Sequence, residues 1–196
     1  MIFELYALAC FFLPNILWQF CRRNEIKRQV GSFRHLLWAY VFMLYCFIAV
    51  YDAAGIGTLG DVLRVGRIVC SFHFVPFSSD GIMTYVLNVL MFVPFGFLMP
   101  LIWKPYRCMK HVALGGLVFS SCIEFFQIFS FRVVDIDDLL MNTIGAILGY
   151  LIWKVFSLLF PKAGTRAVMI CRGEPFVYII LGMLGIFFLY HWTLLL

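Results

Sequence analysis

Glu124 lies inside the apolar run His111–Phe131, with Gln127 one helical turn further on. A carboxylate at the centre of a spanning helix costs roughly 2.5–3.5 kcal/mol on insertion scales, so such a position reflects a use. Arg132, Asp135, Asp137 and Asp138 follow at the end of the run, and the next apolar segment carries Asn142, Gly145 and Gly149. Spacings of three and four place Glu124 with Gln127 on one helix face. They place Asp135, Asp138, Asn142, Gly145 and Gly149 on another. Polar side chains of two consecutive helices therefore point toward something other than lipid. A partly desolvated carboxyl at Glu124 suits a general acid or base. Arg132 offers a planar fork for phosphate or carboxylate. Asp135 and Asp138 suit a cation or a second proton, while Asn88 and Asn142 suit holding a substrate.

Each of these residues also has a plainer reading. Asn and Gln serve as interhelical glue in membrane bundles, worth about 0.6 kcal/mol a bond on average. Gly145 and Gly149 form a GxxxG match, most simply a close helix crossing. Glu124 and Arg132 could be an ion pair tying a loop to a helix, and Asp135 and Asp138 suit the positive end of a helix dipole. Asp137 falls off the shared face and is expected in solvent. His35, His73, His111 and His191 fall at expected interfaces without partners in sequence, and none is a candidate.

The elements that must position these residues follow from composition. Of 196 residues 64% are hydrophobic and 13% charged, against about 45–50% and 25% in soluble domains. The sequence is that of an all-α polytopic transmembrane bundle, a single membrane domain over residues 1–196, with no linker that would set off a second domain. The net charge of +5 is spread over short loops rather than gathered in one patch, which argues against a nucleic-acid partner. Seven scattered cysteines include no CxxC and no Cys/His grouping at metal spacing, so no metal and no cofactor is expected. The first apolar stretch precedes its basic residues, the reverse of a secretory signal, and reads as an uncleaved span.

Six stretches approach the roughly 20 residues that cross a hydrocarbon core: 2–20, 36–51, 82–103, 112–131, 139–160 and 176–194. Pro14, Pro94 and Pro100 fall inside them and are expected to kink their helices. Arg22, Arg23, Lys27, Arg28 and Arg34, then Lys104, Arg107 and Lys110, then Lys162, Arg166 and Arg172 fall on one side. The opposite side holds Asp52, Asp61, Asp80, Asp135, Asp137 and Asp138, with Arg64, Arg67 and Arg132 as its cations. The positive-inside rule then puts the basic loops in the cytoplasm, and the N-terminus and acidic loops outside the plasma membrane. Residues 52–81 are too apolar and Gly-punctuated for a free linker and suit a partly interfacial or re-entrant segment between spans two and three. Pro76 reads as a turn, with Ser79 or Asp80 capping span three.

Depth arithmetic brings three spans to one site. At 1.5 Å per residue Asn88 lies roughly 9 Å below the outer end of span three. Glu124 lies about 10 Å below that of span four, and Asn142 about 6–10 Å below that of span five. Gln127, Arg132 and Asp138 are expected in the layer above.

The strings LNVLMFVPFGFLMP, EFFQ and RVVDIDDLLMNTIGAILGY, together with Pro76-Phe77, carry a resemblance over about residues 70–155. Asn88, Phe92, Pro94 and Gly96, the Glu124–Gln127 pair, and Arg132, Asp135, Asp138, Asn142, Gly145 and Gly149 stand at the spacings of the VanZ-like family. That family is named for an accessory teicoplanin-resistance protein. The resemblance implies an envelope protein contributing to glycopeptide (teicoplanin) resistance, with membrane lipid and a lipid-linked cell-envelope precursor or the glycopeptide itself as partners. Three functions remain open from the residues. One is recognition of a lipid-linked or cell-wall molecule at the outer leaflet through Asn88, Gln127, Arg132, Asp135, Asp138 and Asn142. The second is a membrane enzyme with Glu124 as acid or base, and the third a small proton-coupled transporter. Oligomeric state is not legible.

Overall fold

The computed structural model describes residues 2–26, 33–65, 71–73, 81–130, 132–160, 171 and 173–191. Helix α1 (Ile2–Cys21) is followed by α2 (Phe33–Phe47), which runs on as a π-helical stretch, Ile48–Ala54. After α3 (Leu59–Val65) and the three-residue strand β1 (Ser71–His73) come α4 (Ile82–Ile102) and α5 (Met109–Gln127). A 3-10 turn, Ile128–Ser130, and strand β2 (Val133–Asp135) lead into α6 (Ile136–Leu159), and α7 (Glu174–Leu189) follows. The architecture is an all-α membrane bundle.

Five helical segments among the described residues are long and apolar enough to cross a membrane: Ile2–Cys21, Phe33–Val65, Ile82–Ile102, Met109–Ser130 and Ile136–Leu159. Twenty residues at 1.5 Å each reach about 30 Å, the thickness of a hydrocarbon core. Helix α7, expected as a sixth span, is apolar but has 16 residues, about 24 Å on the same rise. Its Tyr178, Ile179, Met183 and Ile186 are buried in the bundle. Leu13, Leu17, Leu87, Leu90, Leu151 and Val155 are exposed on the outer faces of the long helices. Water would oppose that arrangement and acyl chains accommodate it.

The tightest packing is between α4 and α6. A Cβ on Gly96 would collide with the Ala146 carbonyl, one on Gly145 with the Val89 carbonyl, and one on Gly149 with the Val93 carbonyl. Only glycine lets the two backbones touch there, so the GxxxG reading as a close crossing holds. Phe92 and Phe95 of α4 meet Phe119 of α5 with ring centroids 5.3 and 5.4 Å apart, filling the space beside the crossing. Helices α1 and α7 form a second close pair, with Gly182 against the Phe11 ring.

Several boundaries differ from the sequence reading. The second span begins three residues early and persists to Ala54, where the left-handed Gly55 (φ 64°) ends it with its N–H on the Val50 carbonyl. The connection between spans two and three is partly helical and partly strand. β1 pairs in parallel with β2, Phe72 opposite Val134, so a short sheet element joins an otherwise helical fold. The cap position of α4 is Gly81, without a side-chain hydrogen bond. The turn at Pro76-Phe77 and the caps expected of Ser79 and Asp80 lie outside the described residues, as do Lys27, Arg28, Arg67, Phe131, Lys162, Arg166 and Arg172.

Candidate functional site

The α4–α6 crossing sets the site. Gly145 and Gly149 hold α6 against α4, and the N-terminal continuation of the same α6 face carries Asp138 and Asn142. Asn88, from α4, donates its Nδ2 hydrogen to Asp138 Oδ1. The Asp138 carboxyl in turn stands within hydrogen-bonding reach of the Glu124 carboxyl from α5. Asp135 N–H also points at Glu124 Oε2, at 3.4 Å. Three helices and β2 thus converge on Glu124, which is only 4% exposed. Asn88 and Asp138 are half-buried and form the accessible side of the cluster.

Six residues past the start of α6, Asn142 stands about 9 Å along the helix, inside the expected range, but it meets α5 one turn before Glu124. Its Nδ2 donates to Ser120 Oγ at 2.8 Å, and Ser120 precedes Glu124 by one turn of α5. Asp138, expected in the layer above, takes the place beside Glu124 instead. Helix α6 starts at Ile136, which puts Asp138 in its first turn, one turn before Asn142. Asn142 is buried, and no partner reaches its Oδ1 among the described residues. Exchanging the amide atoms would leave the nitrogen short of partners instead. An unmet polar atom at this burial is costly and marks a place for a ligand or water.

Gln127 and Arg132 form a separate layer. Gln127 Nε2 donates to the Ala54 carbonyl at 2.8 Å, and Arg132 Nη1 donates to the same oxygen. Among the described residues no ion pair joins Arg132 to Glu124. Arg132 is exposed and ties the end of the π-helical stretch to the start of β2. Asp135 caps α6, its Oδ1 accepting from Asp137 N at 2.9 Å. The expectation of a solvated Asp137 is overturned. It is buried and accepts from Tyr85 Oη at 3.0 Å, so α4 covers this side of the first turn of α6 as well. No group of three or more His, Cys, Asp or Glu that could hold a metal occurs among the described residues.

At the basic end lies a polar cluster that sequence reasoning missed. His35 Nε2 and Glu174 Oε1 are 2.9 Å apart with both side chains buried. Tyr178 Oη donates to the same Glu174 oxygen at 2.9 Å and receives Gln19 Nε2 at 3.2 Å. Tyr40 Oη completes the chain on Gln19 Oε1 at 2.8 Å. His35 lies in the first turn of α2 and looked like an interfacial residue in sequence, whereas Glu174, at the start of α7, was not singled out. One signal was available: Glu174 and Tyr178 are four apart on a helix whose other residues are nearly all apolar.

Comparison with known proteins supports a family assignment. The family model described as VanZ/LLP1 matches residues 5–157, which extends well N-terminal of the stretch that carried the sequence resemblance. Protein VanZ of Enterococcus faecium is 35% identical over 81 residues, 40% of this chain and 50% of that protein. The match thus spans about half the length of this curated relative. No solved structure matches.

Proposed function

The chain belongs to the VanZ/LLP1 family, and from that premise we propose that it recognises a lipid-linked or cell-wall molecule at the outer leaflet and contributes to resistance against glycopeptides of the teicoplanin type. The reading rests on one observation above all: Asn88, Glu124 and Asp138, from three helices, share a cluster inside an apolar bundle. Asn142 lies beside it with a polar atom still unmet. Polar groups at such a depth are expensive, and packing alone is served by the glycine crossing. A ligand presenting hydroxyl or amide groups would complete the hydrogen bonding of Asn142 and Asn88. In this reading the acidic end faces outward, as the charge asymmetry of the loops suggests, and Arg132, exposed at the margin, supplies the cation for a phosphate or carboxylate.

A second reading has a specific observation in its favour. Two carboxyls as close as Glu124 and Asp138 can hold one proton between them. Such a pair can give a proton to, or take one from, a bound substrate, which is acid–base chemistry without a metal. The test is glycopeptide susceptibility in cells carrying wild type, Glu124→Gln or Asp138→Asn, with membrane abundance measured in parallel. Both amides keep shape and hydrogen-bonding capacity. Recognition alone tolerates them within a few-fold, whereas proton transfer is lost in both. Wild type that confers no resistance at normal abundance refutes the resistance role for this chain.

A further inference from the structure

A groove of about 830 Å³ opens beside α5, where the turn Lys104–Tyr106 meets the start of α7. His111, Leu114, Gly115 and Val118 run along it at spacings of three and four, with Tyr106 and Phe176 across from them. Gly115 makes the floor: a Cβ there would stand 3.3 Å from the Phe176 ring. Leu114 is 59% exposed and Val118 42%, so the groove presents an apolar track about 10 Å long, parallel to a spanning helix. A lipid chain lies in that direction.

The charges sit toward one end of this track. Lys104 and Lys110 directly precede the lining residues Pro105 and His111 in the chain, and both are exposed. Arg107 is committed elsewhere, its Nε on the Pro100 carbonyl at 3.3 Å and its guanidinium over the Trp153 ring. His111 Nδ1 donates to the Pro105 carbonyl at 2.9 Å, because that oxygen can only accept, which leaves the two lysines as the cations of this end. Among the described residues no Asp or Glu lines the groove. An apolar track ending in cations without a counter-charge complements a molecule with an acyl chain below an anionic head.

We propose that the groove binds one anionic phospholipid, its acyl chain along Leu114 and Val118 and its phosphate between Lys104 and Lys110. The site lies 13 residues from Glu124 along the same helix, about 20 Å, and does not depend on the function proposed for that cluster.

Native mass spectrometry of the detergent-purified protein, titrated with phosphatidylglycerol or phosphatidylethanolamine of matched chains, tests it. One phosphatidylglycerol is expected to bind with at least about tenfold preference, given two lysines near the head group. Leu114→Trp, which fills the track, is expected to abolish that binding. Lys104→Gln with Lys110→Gln, both at exposed positions, is expected to keep one bound lipid but lose the preference. Equal binding of the two lipids by wild type overturns the proposal, as does a charge-neutralised variant that keeps the preference. Unchanged phosphatidylglycerol binding by Leu114→Trp overturns the placement of the chain.

Discussion

Replacing His35 tests how α7 is held. The His35–Glu174 pair has side chains 2% and 0% exposed, and Tyr178 shares the same carboxylate oxygen. Removing one partner of a buried pair leaves the other without compensation and costs about 3–5 kcal/mol. His35→Leu is therefore expected to destabilise by that amount, the larger part arising from Glu174. Glu174→Gln keeps an oxygen for Tyr178 and is expected to cost about 1 kcal/mol, the net worth of a typical hydrogen bond. Replacing both, His35→Leu with Glu174→Met, removes both polar partners. A buried pair exchanged for apolar groups is often neutral, so the double variant should recover at least 2 kcal/mol relative to the sum of the His35→Leu and Glu174→Met singles. Reversible unfolding in mixed micelles measures wild type, these two singles, the double and Glu174→Gln. Additive losses, with a coupling below about 0.5 kcal/mol, would show that the pair does not hold α7 and would refute the argument.

Other consequences are equally checkable. Gly145→Leu places a side chain on the Val89 carbonyl and Phe92 Cβ, so it should force α4 and α6 apart and lower stability by roughly 1–3 kcal/mol, read by thermal unfolding in detergent. Gln127→Leu removes one of two donors to the Ala54 carbonyl; it should cost about 1 kcal/mol and speed amide exchange at Gly55 and Ile56. Cysteine labelling in a Cys-free background should mark Arg132→Cys from outside the cell and Lys110→Cys only after permeabilisation. External labelling at residue 110 would reverse the proposed orientation. Asp137 is unsuitable for that experiment because it is buried.

Much of the fold was legible because membrane helices announce themselves: long apolar runs end at charges, and loop cations gather on one side. What was not legible depended on which neighbours cover the start of a helix. Asp137 was assigned to solvent because it falls off the face shared by Asp135 and Asp138, and Asp138 was assigned to a layer above Glu124. In the structure β2 and the Asp135 cap start α6 at Ile136. Tyr85 of α4 covers that first turn at Asp137, and Asn88 of α4 meets Asp138. The strand pairing of residues 71–73 with 133–135 joins segments 62 residues apart, and no local pattern foretold it. His35 and Glu174 escaped notice for a related reason: each stands at a helix start, and only the docking of α7 on α1 and α2 buries them together.

The packing and functional readings of the α6 face turn out to describe different parts of one face. Asp138, Asn142, Gly145 and Gly149 follow at intervals of four, three and four, so they form one stripe. Toward its C-terminal end the glycines permit backbone contact with Val89, Val93 and Gly96 of α4. That contact fixes the height of α6 against α4 to within a fraction of a turn, because carbonyls cannot slide past one another at such an approach. The N-terminal end inherits the register. Asp138 therefore arrives opposite Asn88, and Asn142 opposite Ser120. A substitution at Gly145 should consequently disturb the Asn88–Asp138 contact one to two turns away while leaving both residues in place. Were Gly145→Ala to lower stability without altering resistance or the environment of Asn88, the crossing would serve packing alone, and the positioning role argued for it would fall.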